Sequence, residues 1–225
     1  MKIKFYLRCC IVSLLCLQAC HEEQLQQLES KNGFAVLPKV QPHLQVADFA
    51  GGCFWTMQQC MMEIKGVNNV VSGYAGGHTK NPTYETVLTK TTGHAESVQV
   101  YYDPAVISYK KLVELCFYMH DPTQQDRQGP DIGSDYRSIA FHRSVEEYKT
   151  IRRVIDSLDS SHLYPAAIVT EIKPFSSFYP AESEHQDYYL KNPWNLYIRK
   201  VSQPKVVMFK KRFPTLIKNV KNQQS

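Results

Sequence analysis

The sequence predicts an α+β domain: one mixed sheet with helices packed on it, in a ferredoxin-like (split βαβ) arrangement with long irregular loops. Three observations carry this prediction. Apolar residues alternate with period 2 in some segments and recur at helical spacing in others, and the segments follow one another as β-α-β, then β-α-β. Stretches rich in Gly, Pro, Thr and Asp interrupt the pattern where loops belong. The chain has 225 residues, 43% of them hydrophobic and 21% charged, which suits one domain with a full core.

Each element has its own signal. Gln45 to Ala50 reads as a strand running into Gly51-Gly52. Phe54, Met57, Met61 and Ile64 then recur at helical spacing until Gly66. Val67 to Tyr74 is a second strand, and Tyr74 to Gly93 a polar surface loop. Ser97 to Tyr102 alternates and stops at Asp103-Pro104. Ser108 caps a helix carrying Leu112, Leu115, Cys116 and Met119 on one stripe. A loop over residues 121–135 precedes a short strand, Arg137 to His142. Ser144 and Glu147 form a capping box for a helix bearing Val145, Tyr148, Ile151, Ile155 and Leu158. Ala166 to Ile172 is a β-branched strand, and Glu182 to Leu190 a short helix.

The ends of the chain read differently. Lys2 and Lys4 precede the apolar run Ile11 to Leu17 and then Gln18-Ala19-Cys20, the order of a secretory signal. The run is far short of the roughly 20 residues a membrane span needs. Leu17-Gln18-Ala19-Cys20 resembles a bacterial lipoprotein signal, which implies cleavage after residue 19, acylation of Cys20 and an extracytoplasmic, membrane-anchored protein. The expected layout is therefore signal 1–19, polar tether 20–44 and catalytic domain 45–225. As a flexible coil the tether would span roughly 25–30 Å. The net charge of +5 owes much to Lys205, Lys210, Lys211, Arg212, Lys218 and Lys221. With no aromatic-interleaved groove beside it, this stretch reads as a solvated tail, and a nucleic-acid partner is not expected.

Of seven cysteines, Cys9, Cys10 and Cys16 leave with the signal and Cys20 carries lipid. Cys53, Cys60 and Cys116 remain, an odd number without a CxxC pair, which argues against a disulfide scaffold or a zinc ribbon. Cys60 and Cys116 lie on apolar stripes and read as core. Cys53 follows two glycines and opens a helix, where unpaired N–H groups and the dipole favour a thiolate on an accessible sulfur. Phe54 and Trp55 point in different directions on that helix, which gives at least one of them a pocket role. His94, His120 and His185 show no metal-ligand spacing and read as structural; no metal site is expected.

Gly51-Gly52-Cys53-Phe54-Trp55 resembles the signature of the A-type peptide methionine sulfoxide reductases. Collinear matches follow: Gly73-Tyr74-Ala75-Gly76-Gly77, Asn81-Pro82-Thr83-Tyr84, Thr92-Gly93-His94-Ala95-Glu96, His120-Asp121-Pro122-Thr123, Asp131-Ile132-Gly133-Ser134-Asp135-Tyr136-Arg137 and Ala181-Glu182 with His185-Gln186. The resemblance implies that Cys53 attacks the sulfoxide sulfur and becomes a sulfenic acid. It assigns Glu96 as the acid at the oxygen, assisted by Tyr84 and Tyr136. Phe54 and Trp55 would cradle the S-methyl group, and Asp131 would orient the substrate. It further implies the S epimer, in free methionine sulfoxide and in oxidised proteins.

Two departures from that family stand out. Thr56-Met57-Gln58 replaces a usual Gly, apolar residue and Glu, removing a first-turn carboxylate worth about 0.3–1 kcal/mol at the helix dipole. No cysteine follows Cys116, and Ile198 stands where a recycling cysteine is common. Cys60 lies about 10 Å along the helix from Cys53, beyond the roughly 7 Å limit for a bridge. The expectation is a monomeric single-thiol enzyme with no bound cofactor, reduced by an external thiol, thioredoxin-like or small. Two other readings stand beside it: a Cys–His acyl-transfer enzyme using His94 or His185 as base, and a lipoprotein that binds oxidised methionine segments without turnover.

Overall fold

The computed structural model describes residues 28–218; the signal, Cys20 and Lys221 lie outside them. A six-stranded sheet carries the domain. Its strands are β3 (Gln45–Ala50), β4 (Val67–Ala75), β5 (Ala95–Tyr102), β8 (Ile139–His142), β9 (Glu171–Pro174) and β10 (Phe178–Pro180). They lie in the order β10-β4-β5-β3-β8-β9. Helix α1 (Phe54–Met62) joins β3 to β4, yet β5 is inserted between those two strands and pairs antiparallel with both. That is the split βαβ of a ferredoxin-like core, as expected. β9 extends the sheet parallel to β8, and β10 closes the other edge antiparallel to β4.

Period-2 alternation decides which face each side chain meets. In β5, Val98, Val100 and Tyr102 enter the large core under the helices, while Ala95 and Tyr101 enter a smaller cluster on the opposite face. Glu96 shares the parity of Val98, so the strand directs its carboxylate toward α1. The large core also takes Leu112 and Leu115 from α3 (Tyr109–Phe117) and Ile151 and Ile155 from α4 (Val145–Ser160). Each fully buried Leu or Ile contributes about 1.5–3 kcal/mol. Ser108 caps α3 as expected, accepting the Lys111 N–H at 3.2 Å.

Several expectations give way to packing. Residues 28–44 are not a bare tether: β1 (Ser30–Lys31) and β2 (Phe34–Ala35) form a hairpin whose Ala35 is buried. The 74–93 loop holds α2 (Tyr84–Leu88), capped by Thr83. Within the second loop, β6 (Arg127–Gln128) pairs with β7 (Asp131–Ile132). Ser144 caps α4, but Glu147 reaches back to the Arg143 N–H at 2.6 Å, one residue beyond a capping box. Val145 and Tyr148 on that helix face water. The strand expected at 166–172 begins only at Glu171, where β8 offers a partner. Residues 182–190 split into a 3-10 turn and α5 (Tyr188–Lys191). The basic C-terminal stretch is not a solvated tail either. Gln203–Arg212 is helix α6, with Val206 and Phe209 buried and Lys210 paired to Glu63 at 2.9 Å. No helix among the described residues is long and apolar enough to cross a membrane.

Candidate active site

Cys53 sits at the junction of β3 and α1, as the N-cap residue of the helix. The two glycines before it are required by space as well as by turn. Gly52 adopts φ +85°, which favours glycine. A Cβ on Gly51 would lie 2.7 Å from the His120 ring, and one on Gly52 2.5 Å from the Gln128 side chain. The backbone is thus pressed against its supports, and the sulfur is turned inward. Cys53 is only 7% exposed, which corrects the expectation of an accessible sulfur.

Burial also corrects the expected thiolate. Loss of solvation, then the charge of Glu96, pushes the Cys53 thiol well above its ordinary range. Opposing them are the neighbouring N–H groups of Trp55 and Thr56 and the Tyr197 hydroxyl; the Thr56 N–H bonds the Cys53 carbonyl at 3.1 Å and the Tyr197 hydroxyl bonds Asp131. The helix N-terminus therefore acts as expected but is outweighed by burial. Cys53 rests as a thiol with a set of donors ready for its anion.

Glu96 lies directly against this group. Its Oε2 accepts the Phe54 N–H at 2.9 Å, and the residue is 2% exposed. Burial raises its pKa to about 8; the Phe54 bond opposes that, and the nearby Asp135 and Asp131 add to it. Glu96 is consequently a carboxylic acid at neutral pH, able to give a proton. The Tyr84 and Tyr136 hydroxyls are also held protonated, by burial first and then by the charge of Glu96. These residues, distant in sequence, converge on one place.

Around them stands an aromatic cage. Phe54 is fully buried, with ring centroids 5.8 Å from Tyr74, 6.3 Å from Tyr84 and 5.4 Å from His185. Trp55 stacks on Tyr188 at 3.8 Å and meets Tyr197 edge-on at 5.9 Å. Asp131 accepts the Tyr197 hydroxyl at 2.5 Å, tying the β6–β7 hairpin to the C-terminal segment. An apolar methyl group suits such a cage, while the acids and phenols serve a polar oxygen.

The histidines are occupied elsewhere. His94 Nδ1 accepts the Gly77 N–H at 3.1 Å, and its Nε2 donates to the Thr79 carbonyl at 2.8 Å. His185 Nδ1 accepts the Trp55 indole N–H at 3.3 Å. His120 bonds the Cys116 carbonyl at 3.0 Å and Ser138 Oγ at 2.7 Å. These contacts make them positioning groups, as expected: His94 spends both ring nitrogens on the backbone, and His185 Nε2 lies 3.9 Å from the Glu182 carboxylate. Among the described residues no three His, Cys, Asp or Glu side chains converge on a metal-sized site.

Several residues of the site escaped the sequence reading. Tyr197 bears on Cys53 and Asp131, and Tyr188 walls the cage; neither belongs to a local pattern. Glu182, quoted above only within a motif, has a definite task. It accepts the Tyr84 N–H at 2.8 Å and the Tyr74 hydroxyl at 2.8 Å, fixing α2 over the pocket. Arg137 bonds Gly93 O at 2.9 Å, Ser134 O at 2.7 Å and Glu171 at 3.0 Å, which aligns the Tyr136 turn with β5. Gln58 proves not to be a matter of the helix dipole. It is buried, donates to Val70 O at 2.8 Å and accepts the Asp187 N–H at 2.9 Å. An amide can do both; a carboxylate cannot.

Comparison with known proteins agrees with this geometry. A family model described as peptide methionine sulfoxide reductase matches residues 45–216. The peptide methionine sulfoxide reductase MsrA of Natronomonas pharaonis is 47% identical over 167 residues, which is 74% of this chain and 94% of that protein. Its counterpart from Saccharolobus solfataricus is 45% identical, covering 78% and 98%. Among solved structures, methionine sulfoxide reductase A of Corynebacterium diphtheriae superposes with a TM-score of 0.64 at 34% identity, over 75% of this chain and 85% of that one. Reduced Mxr1 from Saccharomyces cerevisiae gives 0.66 at 32% identity, over 70% and 91%.

Proposed function

This chain belongs to the peptide methionine sulfoxide reductase family and reduces methionine sulfoxide to methionine, and from that premise we propose how its own residues do the work. Cys53 attacks the sulfoxide sulfur. Its proton passes by way of Glu96 to the sulfoxide oxygen, with Tyr84 and Tyr136 donating hydrogen bonds to that oxygen. The new S–S bond then breaks as the protonated oxygen transfers to Cys53. Methionine leaves, and Cys53 is a sulfenic acid: one oxygen has moved from substrate to enzyme, and no outside proton is consumed.

The observation that carries this reading is the Glu96–Phe54 hydrogen bond of 2.9 Å. It places a buried, protonated carboxyl one residue from the nucleophile. Phe54 and Trp55 supply the methyl-binding wall, and Asp131, bonded to Tyr197, orients the substrate. The S epimer is the one whose oxygen meets Glu96 while its methyl meets the cage.

Recycling uses an external thiol. Its first thiol group condenses with the sulfenic acid, releasing water and leaving a mixed disulfide; its second closes the reductant's own disulfide and returns the Cys53 thiol. Cys60 and Cys116, the other cysteines among the described residues, are free and buried, and Ile198 fills its position with a buried apolar side chain. A dithiol protein of thioredoxin type or a small thiol fits this role. With Cys20 acylated after removal of residues 1–19, the enzyme would act on the extracytoplasmic face of a bacterial membrane, on free methionine sulfoxide and oxidised proteins.

The test is a turnover assay with separate S- and R-methionine sulfoxide and dithiothreitol. The reading expects methionine from the S form alone, and none from Cys53→Ser. Equal consumption of both epimers would overturn the oxygen-and-methyl assignment. Labelling of intact cells with radioactive fatty acid tests the anchor: label lost in Cys20→Ser supports it, and label that persists refutes it.

A further inference from the structure

The segment 188–197 has two sides with opposite chemistry. Tyr188 and Tyr197 turn inward, onto Trp55 and Asp131. Between them Leu190, Trp194 and Leu196 stand in water at 49%, 83% and 64% exposure. Ile132, next to Asp131 in the opposing hairpin, is 63% exposed. The 2.5 Å bond between Asp131 and Tyr197 joins the two segments beside the aromatic cage, with Ile132 and Leu196 as the immediate chain neighbours of that joint. Scattered exposed apolar residues are ordinary, but Ile132 and Leu196 adjoin the Asp131–Tyr197 joint, and Leu190 and Trp194 share the segment that carries the cage tyrosines.

This segment is built to hold its shape. Asn195 Nδ2 donates to the Tyr188 hydroxyl at 3.2 Å, its Oδ1 accepts the Tyr197 N–H at 2.9 Å, and Asn192 Nδ2 donates to Tyr188 O at 3.1 Å. An ordered loop that keeps a tryptophan in water presents it in advance, so little freedom is lost when a partner covers it. The segment's own charges are basic. Residues 188–200 carry Lys191, Arg199 and Lys200 and no Asp or Glu, with Lys191 bonded to the Gln186 carbonyl at 2.8 Å and Asp131 across the segment on Tyr197. The Arg199 guanidinium lies 5.9 Å from the Trp194 ring centroid.

We propose that Ile132, Leu190, Trp194 and Leu196 form a docking rim for the polypeptide on either side of an oxidised methionine, selecting apolar flanking residues with acidic ones beyond them. This rests on the reductase reading and adds to it a substrate preference. Free methionine sulfoxide, which has no flanks, enters the same pocket without touching the rim. The rim therefore acts on substrate affinity and leaves the chemical step alone.

The experiment compares the full chain with Trp194→Ala and Leu196→Ser, with dithiothreitol as reductant. Three substrates are used: free methionine S-sulfoxide, a peptide with Leu and Phe beside the sulfoxide and Asp at its ends, and a Gly/Ser-flanked peptide. The expected result is a KM about 10-fold lower for the apolar peptide than for the Gly/Ser peptide in the native chain. Trp194→Ala should remove that difference with kcat unchanged, and rates on the free amino acid should stay within about twofold. Equal KM values for the two peptides in the native chain would overturn the proposal. So would an equal loss on all three substrates, which would make the rim a support of the pocket. A defect seen only with a protein reductant would assign the rim to that partner instead, and a native dimer that Trp194→Ala splits would assign it to a second copy. Fluorescence anisotropy of the labelled peptides on Cys53→Ser gives an answer independent of turnover. Tighter binding of the apolar peptide, lost with Trp194→Ala, supports the rim even if the catalytic reading fails, and equal binding refutes it even if that reading stands.

Discussion

Helix α1 carries a buried thiol at each end. Cys53 opens it and Cys60 lies near its close, and both are pushed well above the ordinary thiol range, by burial first and by a neighbouring glutamate second. Exposure and acidity do not tell them apart. Company does. Cys53 has polar hydrogens within reach, from the N–H groups of Trp55 and Thr56 and the Tyr197 hydroxyl. Beside it is Glu96, which is protonated below about pH 8 and adds its charge only above it. Cys60 is tempered by the charges of Lys205 and Lys210 rather than by donors, and it belongs to the hydrophobic core. A nucleophile in this fold is thus a cysteine whose anion has been prepared for, not one left open to water.

The sharpest way to break that comparison is to remove each thiol. Cys53→Ser should lower turnover at least about 1,000-fold. Cys60→Ala should leave kcat within about twofold and cost about 1 kcal/mol of stability, read from urea denaturation. Next in size is Glu96→Gln, expected to slow single-turnover methionine formation by about 100- to 10,000-fold. The pH profile identifies the group. With its pKa near 8, Glu96 is protonated below that value and ionised above it. The native rate should therefore carry a falling limb above about pH 8 that Glu96→Gln lacks. A native profile that keeps rising through pH 9 would remove Glu96 from the role of acid.

Smaller effects sharpen the account. Tyr197→Phe deletes the hydroxyl that bonds Asp131 and that can turn to the Cys53 anion; iodoacetamide should alkylate Cys53 about 10-fold more slowly at pH 8, the worth of one hydrogen bond of about 1.4 kcal/mol. Alkylation at the native rate would leave the backbone N–H groups as the sufficient donors. The smallest change concerns Thr56 and Ser202, both buried and bonded through their hydroxyls at 2.9 Å between α1 and the π-turn after Tyr197. Ser202→Ala should lower Tm by about 2–4 °C and leave the S-over-R preference intact.

What the sequence could reveal follows the same division. The nucleophile turn is local: Gly51 to Trp55 state in five neighbouring residues a tight turn, a thiol and two aromatics, and the structure keeps them together. The strands from Gln45 and Val67 and the helix capped by Ser108 were legible because alternation and caps are short-range signals. Tyr197 was not, because a tyrosine's worth here depends on Asp131, 66 positions away in the chain. The depth of Cys53 was hidden for a like reason, since the residues packed around its turn, His120, Gln128, Glu96 and Tyr197, come from far along the chain. Gln58 misled because its partners at Val70 and Asp187 lie outside the helix that its spacing describes. The C-terminal helix was hidden by composition: its lysines suggested solvent, while Val206 and Phe209 carry the packing.

The central claim is that one thiol, Cys53, does all the redox work. A single turnover of S-methionine sulfoxide without reductant, followed by mass analysis of the cysteine peptides, tests it most directly. The account predicts about one methionine per chain, one added oxygen atom on the Cys53 peptide, trappable as a sulfenic acid, and Cys60 and Cys116 still reduced. A disulfide joining Cys53 to either of them, or a second methionine released per chain, would contradict it.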